Sequence, residues 1–428
     1  MQLPESHPLR QELHNEVHAR PPVPLQTPSR LSYLALLSGP ENIQAEREHL
    51  AGLCGRYGKP GPADSANHYI VDLGPFRLKW ERHAEFSRYK IIAYGTPAAP
   101  FGDPPIDLLP AEWIAGLKGR TLVSTHIVVL PLADTLDYGE LSSRFFSGNT
   151  LIGSTVGEGA AIALTDLRIR DDGSSRLLIF DNHLTRRQAG RTVQRLLEID
   201  TYRMMALLAL PVARALNPFL AASERELAQI TTLMQDGARE DAALLERLTK
   251  LQAAIESRYA DHHYRFSAAA AYYDLVQRRI GELREERLQG LQTFREFMER
   301  RLAPAMGTCK TIADGIEGLS ERVARSTNLL STRVGMVREQ QNQKLLAEMA
   351  RRAKIQLRLQ QTVEGLSVAA ISYYVVGLVG YAAKALKSGG VALDPELAMG
   401  IAVPVVIALA AIGIRNIRKH LAEDNTES

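Results

Sequence analysis

At 428 residues the chain is long enough for two or three folding units and a substantial buried core. With 45% hydrophobic and 23% charged residues, 31 Gly and 21 Pro, it is neither wholly disordered, nor collagen-like, nor built mostly of apolar spans. Lys and Arg number 51 against 48 Asp and Glu, and a net charge of +3 argues for no nucleic-acid or polyanion partner.

Residues 1–30 are polar and proline-rich and lack the apolar run of a signal peptide, so no N-terminal export is expected. A helix is expected over residues 5–19, with His14 and His18 on one face. A zinc-protease motif needs Glu directly after the first His; here Asn15 intervenes before Glu16, and no metal site is assigned. Cys54 and Cys309 are too few for a disulfide scaffold and too far apart for a metal motif, which favours a reducing compartment.

Between residues 30 and 182, short runs rich in Val, Ile, Tyr and Phe are separated by Gly and Pro. Strands are expected over residues 32–37, 68–73, 76–81, 86–94 and 122–130, and a hairpin joins 163–170 to 176–181 through the turn Asp171-Asp172-Gly173. Helices over residues 41–57 and 136–147 complete a mixed α+β domain. Near Phe76 the charges Arg77, Lys79, Glu81, Arg82, His83 and Glu85 crowd one region. Because Phe76, Leu78 and Trp80 alternate with them, the reading is a half-buried strand with one solvated face, a polar groove being the alternative. The run from Gly153 to Gly159 lacks the Gly-Lys-Ser/Thr ending of a phosphate loop and reads as a turn or strand-to-helix bend. No catalytic residue and no cofactor is assigned.

From Thr185 the pattern is helical, starting with an N-cap and running through Val193, Leu196 and Leu208 until Pro211 and Pro218 interrupt it. This segment is expected to pack on the preceding domain. After Ser223 come tracts marked by Leu244, Leu248, Leu251 and Ile255, then Phe266, Ala270 and Tyr273, then Ile280 through Leu291 to Leu302. Beyond Pro304 the stripe Ile312, Ile316, Leu319, Val323, Ser326, Leu330, Val334, Val337, Gln341, Leu345 has the spacing of a coiled-coil seam. Spacing alone leaves open whether that seam closes within one chain or between chains. Mixed Arg and Glu on the other faces read as solvated helix surface rather than a nucleic-acid groove.

Residues 365–383 and 397–414 carry no charge, and as helices these 19- and 18-residue runs reach about 27 to 29 Å, the thickness of a bilayer's hydrocarbon core. The 13 residues between them include Gly389-Gly390 and Asp394-Pro395, which turn the chain and permit a two-helix transmembrane hairpin. Arg351, Arg352, Lys354 and Arg358 precede the first span and Arg415, Arg418 and Lys419 follow the second, so both termini are expected in the cytoplasm. Gly377 and Gly380 in the first span and Ala398 and Ala402 in the second allow close helix packing, and Pro404 bends the second.

The expected organisation is a mixed α+β domain over 1–183, connecting helices over 184–222, a coiled-coil stalk over 223–364, spans at 365–383 and 397–414 around an extracytoplasmic loop 384–396, and a tail 415–428. The expected partners are the lipid bilayer and further copies of the chain, with no nucleic acid.

The segments ELHNEVHARPP (12–22), FRLKWERHAEFSRY (76–89), LLEIDTYRMMALLALP (196–211) and TVEGLSVAAISYYVVGLVGY (362–381) resemble an uncharacterised bacterial family, domain of unknown function 3422, described as predicted membrane-anchored proteins. The resemblance spans the chain and implies an inner-membrane location without implying an activity. The plan of a cytoplasmic domain, a long helix and two terminal spans also resembles the two-span magnesium channels. Those carry Gly-Met-Asn after the first span, where this chain has Gly380-Tyr381-Ala382-Ala383. Three uses of such a chain follow: a membrane-anchored protein whose stalk self-associates or docks a partner, an oligomeric channel, and a ligand-sensing or enzymatic N-terminal domain.

Overall fold

The computed structural model describes residues 4–11, 13–14, 21–97, 99–235, 241–390 and 394–424. The chain divides into two compact units, Met1–Thr327 and Asn328–Ser428. Of the helix expected over 5–19, residues 10–11 and 13–14 are helical and 5–9 are not; the remainder, with His18, lies outside the described residues.

The first unit holds a mixed nine-stranded sheet in the order β2-β3-β4-β1-β5-β8-β7-β6-β9. Its strands are β1 (Ser29–Leu37), β2 (His68–Asp72), β3 (Arg77–Arg82), β4 (Phe86–Tyr94), β5 (Arg120–Pro131), β6 (Ile152–Val156), β7 (Ala161–Thr165), β8 (Ser175–Asp181) and β9 (Glu286–Arg287). The pairings are antiparallel except β5 with β8. The glycine run is not a bend into a helix: Ile152–Val156 is strand, and Gly157-Glu158-Gly159, all at positive φ, turn it back into β7.

One sheet face is covered by α1 (Ile43–Arg56), α2 (Ala111–Ala115) and α3 (Tyr138–Phe145). Leu34, Leu50, Leu53, Trp80, Tyr89 and Trp113 form one core there, and Phe101, Phe146, Leu164 and Leu178 centre a second. The opposite face receives α4 (Arg186–Leu207), α6 (Asp241–Leu283) and the start of α7 (Phe294–Ser388), with α5 (Ala209–Gln235) following α4. A capping box of Thr185 and Gln188 starts α4. Pro211 sits in the first turn of α5, where its missing N–H costs nothing, and Pro218 lies inside that helix without ending it.

The expected tract from Ile280 to Leu302 is two helices. Leu283 ends α6, and the chain then contributes β9 to the sheet edge before α7 begins. The break is fixed by caps. Thr293 and Glu296 exchange side-chain and backbone hydrogen bonds, and the Glu285 carboxylate accepts from Phe294 N at 3.0 Å and Arg295 N at 2.9 Å. Pro304, expected to precede the long helix, lies within it.

The first part of the seam stripe closes inside the chain. Ile312, Ile316, Leu319 and Val323 are buried, and a Cβ at Gly315 would stand 2.7 Å from Leu220 of α5. Arg322 pairs with Glu224 at 3.0 Å along the same contact.

In the second unit, α7 continues to Ser388 and ends at Gly390 with φ +99°; α8 (Pro395–Asp424) starts at an Asp394 that accepts from Glu396 N at 3.1 Å. By length and composition alone, helices Arg186–Gln235, Phe294–Ser388 and Pro395–Gly413 could each cross a membrane. The first comprises α4 and α5: α4 packs on the sheet with Glu198, Asp200 and Thr201 buried, and a third of the apolar window is buried. The apolar window of α8 has none of its residues buried.

Candidate functional site

Period-two alternation puts Lys79 and Glu81 of β3 on one face and Leu78, Trp80 and Arg82 on the other. In the neighbouring strand Lys90 lies opposite Lys79, and Arg88 opposite Glu81. A solvated face is therefore what the alternation predicts, and the structure overturns it. Lys79, Glu81, Arg88 and Lys90 are all buried, because α4 and α6 cover that face and bring countercharges to it.

Glu81 is the hub. Its Oε2 accepts from Arg88 Nε at 2.6 Å, and its Oε1 stands 2.9 Å from Lys79 Nζ. Arg88 reaches Glu198 of α4 at 3.3 Å, which also accepts from Gln194 at 2.8 Å and from Arg279 of α6 at 2.5 Å. Arg279 continues to Glu282, which pairs with Arg195 at 3.2 Å. Tyr33 of β1 shares a hydrogen bond with Thr201 at 2.7 Å beside this chain of ions. Lys79 Nζ also donates to the carbonyl of Pro21 at 2.5 Å. Pro21, strands β3 and β4, and Glu198 of α4, remote in sequence, thus meet at one buried cluster.

Burial alone would raise the Glu81 carboxyl, but Arg88, Lys90 and Lys79 hold it far below the ordinary carboxylate range. Glu198 is lowered too: burial opposes it, and Arg88 and Arg279 prevail. Lys90 is the weak member. Its Nζ lies 3.8 Å from Glu81, and burial, then the nearby Arg88, push it down to about 7. Its centre, Lys79, Glu81, Arg88, Lys90 and Glu198, is buried and fastens β3 and β4 to two helices, while Arg279, Glu282 and Arg195 at its outer end are a quarter to a third exposed.

On the opposite face Glu46 of α1 forms a second buried knot. It accepts from Ser38 at 2.6 Å, Ser87 at 2.5 Å, Trp80 Nε1 at 3.1 Å and Arg82 at 3.2 Å. Arg82 is thus also buried, on the face away from Glu81.

An open cavity of about 860 Å³ lies beside the N-terminal end of β5, within the range of small-molecule sites. Leu36, Phe101, Asp107, His126, Asp172 and Arg203 are among its walls. His126 Nδ1 shares a hydrogen bond with Ser32 Oγ at 3.0 Å, and Ser32 Oγ also accepts from Ile106 N at 3.1 Å. Asp172 Oδ2 is 4.0 Å from Nε2. Burial lowers the His126 imidazole below its ordinary value, so it is neutral at pH 7. These three residue types invite comparison with a nucleophilic triad, yet Ser32 is buried outside the cavity wall and the histidine–aspartate separation exceeds hydrogen-bond reach. The cavity can hold a ligand but offers no activated serine. Nothing in the sequence singled out His126, because its partners come from a different strand and from two loops.

Among the described residues no group of three or more His, Cys, Asp or Glu could hold a metal ion. Cys54 and Cys309 are both free and buried.

In the second unit Gly380 lies against α8, where a Cβ would stand 2.5 Å from Met399 Sδ. Gly377 faces open space, Ala398 and Ala402 are half-buried, and Pro404 is exposed inside α8.

A family described as protein of unknown function (DUF3422) matches residues 5–421. Neither the curated proteins nor the solved structures yield a match.

Proposed function

The chain belongs to that family of unknown function, and with no activity supplied by it we propose a membrane-anchored protein whose helical stalk self-associates. On this reading the later part of α7 and the apolar part of α8 cross a bilayer as a hairpin with both termini cytoplasmic, and the sheet domain is held at the membrane surface. The observation that carries it is the exposure of large apolar side chains along both helices, among them Leu366 at 74%, Leu378 at 67% and Leu397 at 65%. Water would penalise such a surface and hydrocarbon would not. The cations at 351–358 on one side and 415–419 on the other support the orientation.

Self-association is supported by the seam stripe. Leu330 is fully buried, but Val337 and Leu345 further along are 44% and 58% exposed, an apolar row with no cover. The test is extraction of membranes carrying the full chain. Resistance to alkaline carbonate and release by detergent are expected; release by carbonate alone would overturn the anchor. Light scattering of the detergent-solubilised chain should give a mass of two or more copies.

A second reading, a ligand-binding sheet domain, is favoured by the cavity beside His126. Thermal-shift screening of the full chain in detergent against nucleotides, amines and carboxylates checks it, with His126→Ala abolishing any shift seen. A conducting oligomer is the rival use of the spans; Gly380-Tyr381-Ala382-Ala383 in place of Gly-Met-Asn weighs against magnesium.

A further inference from the structure

The cavity beside the N-terminal end of β5 holds a pair of polar atoms that no protein group joins. His126 is only 6% exposed, and Ser32 holds its Nδ1, yet its Nε2 has no hydrogen-bond partner and opens on the cavity. Asp172 Oδ2 faces that nitrogen at 4.0 Å. The other oxygen of the same carboxylate accepts from Ser174 N at 2.8 Å, which fixes its direction. A gap of 4.0 Å is too wide for a direct hydrogen bond but suits one shared donor. A nitrogen about 2.8 Å from both atoms sees them at about 90°, near the spread of ammonium N–H bonds.

The charges around the cavity select the sign of a ligand. Arg203 is already neutralised: it reaches Asp200 Oδ1 at 2.6 Å, while Asp200 Oδ2 accepts from Thr125 at 3.1 Å. Arg176, opposite His126 in β8, is not among the walls; it donates to the Phe145 carbonyl at 2.8 Å and lies 5.0 Å over the Phe101 ring. Two carboxylates remain, Asp172 and the exposed Asp107, which makes no ion pair with a described residue. Both act on the His126 imidazole against the effect of burial, so both are near it. An anion would meet these two with no free countercharge, whereas a cation is drawn in. Leu36, Phe101, Ile114 and Val123 make much of the remaining wall apolar.

We propose that this cavity binds a small aliphatic amine as its ammonium ion, which donates at once to Asp172 Oδ2 and His126 Nε2, with Asp107 drawing the second ammonium of a diamine. Ser32 permits it, because its hydroxyl can accept from Nδ1–H and so leave Nε2 its lone pair. A neutral imidazole between two carboxylates accepts a cation without repelling it. The apolar walls cover the methylenes of the ligand. The assignment rests on the ligand-binding reading of the sheet domain and names the ligand class.

The experiment is isothermal titration and thermal shift of the full chain in detergent with putrescine, butylamine, butyrate and ATP. Putrescine should bind most tightly and butylamine more weakly, and butyrate and ATP should not bind. Asp172→Asn, at a side chain 48% exposed, should weaken both amines about tenfold or more while leaving the melting temperature of the unliganded chain unchanged. Asp107→Asn should bring putrescine down to the affinity of butylamine and leave butylamine as it was. His126→Ala should weaken both amines; should that variant fail to fold, Asp172→Asn decides alone. Amine binding that survives Asp172→Asn would overturn the site, and putrescine no tighter than butylamine would overturn the part given to Asp107. Binding of butyrate or ATP that is lost in His126→Ala would overturn the amine and leave the ligand-binding reading standing. No binding of any of these probes would overturn the amine, and a broader screen that also finds no ligand would remove the ligand-binding reading with it.

Discussion

The sheet domain and the terminal helices solve opposite solvation problems with the same residue alphabet. Around Glu81 the chain buries Lys79, Arg88, Lys90 and Glu198, and satisfies most of them by ion pairing across two strands and two helices. Along α7 and α8 it does the reverse, leaving Leu366, Tyr373, Leu397 and Leu409 exposed. The contrast teaches that burial follows from what neighbouring elements supply rather than from side-chain polarity. A charge is tolerated inside when countercharges are fixed around it, and an apolar side chain outside calls for another cover.

The sharpest way to break the comparison is to remove the hub. Glu81→Ala leaves three buried cations without their shared carboxylate and should destabilise the sheet domain by about 3 to 5 kcal/mol in thermal or denaturant unfolding. A loss below 1 kcal/mol would mean that the cluster is solvated.

The seam offers a comparison within one stripe. Leu319→Ala, at a fully buried position, should cost about 2 to 5 kcal/mol. Leu345→Ala, 58% exposed, should leave unfolding of the sheet domain within about 0.5 kcal/mol of the parent.

Lys90 predicts a pH dependence. Its folded pKa is depressed to about 7 from 10.5, so between those values the unfolded chain binds more protons than the folded one. Stability therefore rises with pH across that window, by up to about 1.4 kcal/mol per pH unit from this group. Lys90→Met should flatten the slope. The depressed Glu81 and Glu198 act at the other end: their contribution is present above the ordinary carboxylate range and is lost as pH falls below it through their lower folded values.

A smaller effect is expected at the start of α7. Glu285→Ala frees the N–H groups of Phe294 and Arg295 and the hydroxyl of Ser154, and should cost about 1 to 2 kcal/mol.

Much of the fold was legible locally. The strands around Ser32, His68, Phe86 and Val123, the helix over 43–56 and the cap at Thr185 follow from period-two alternation, turn residues and capping chemistry, which act over a few residues. The break at Leu283 was not legible, because an apolar row from Ile280 to Leu302 has helical spacing throughout. Glu285, Thr293 and the edge of β6 decide it, and only folding brings β6 there. The burial of the charged run at Arg77–Glu85 is hidden for the same reason: its period is that of a strand with one wet face, and the carboxylate of Glu198 that closes it lies over a hundred residues away. The His126 cavity carried no motif at all.

By itself the sequence determined the element types, the order of a mixed domain before long helices, and the two uncharged stretches near the C-terminal end, since propensity, periodicity and apolar run length are properties of neighbouring residues. Only the tertiary structure decided that the charged face of β3 is interior, that α4 packs on the sheet with Glu198 and Asp200 inside, and that Leu330 of the seam is buried while Val337 and Leu345 are exposed. Those outcomes depend on which distant helix arrives with which countercharge or apolar face, and short-range pattern carries no record of that.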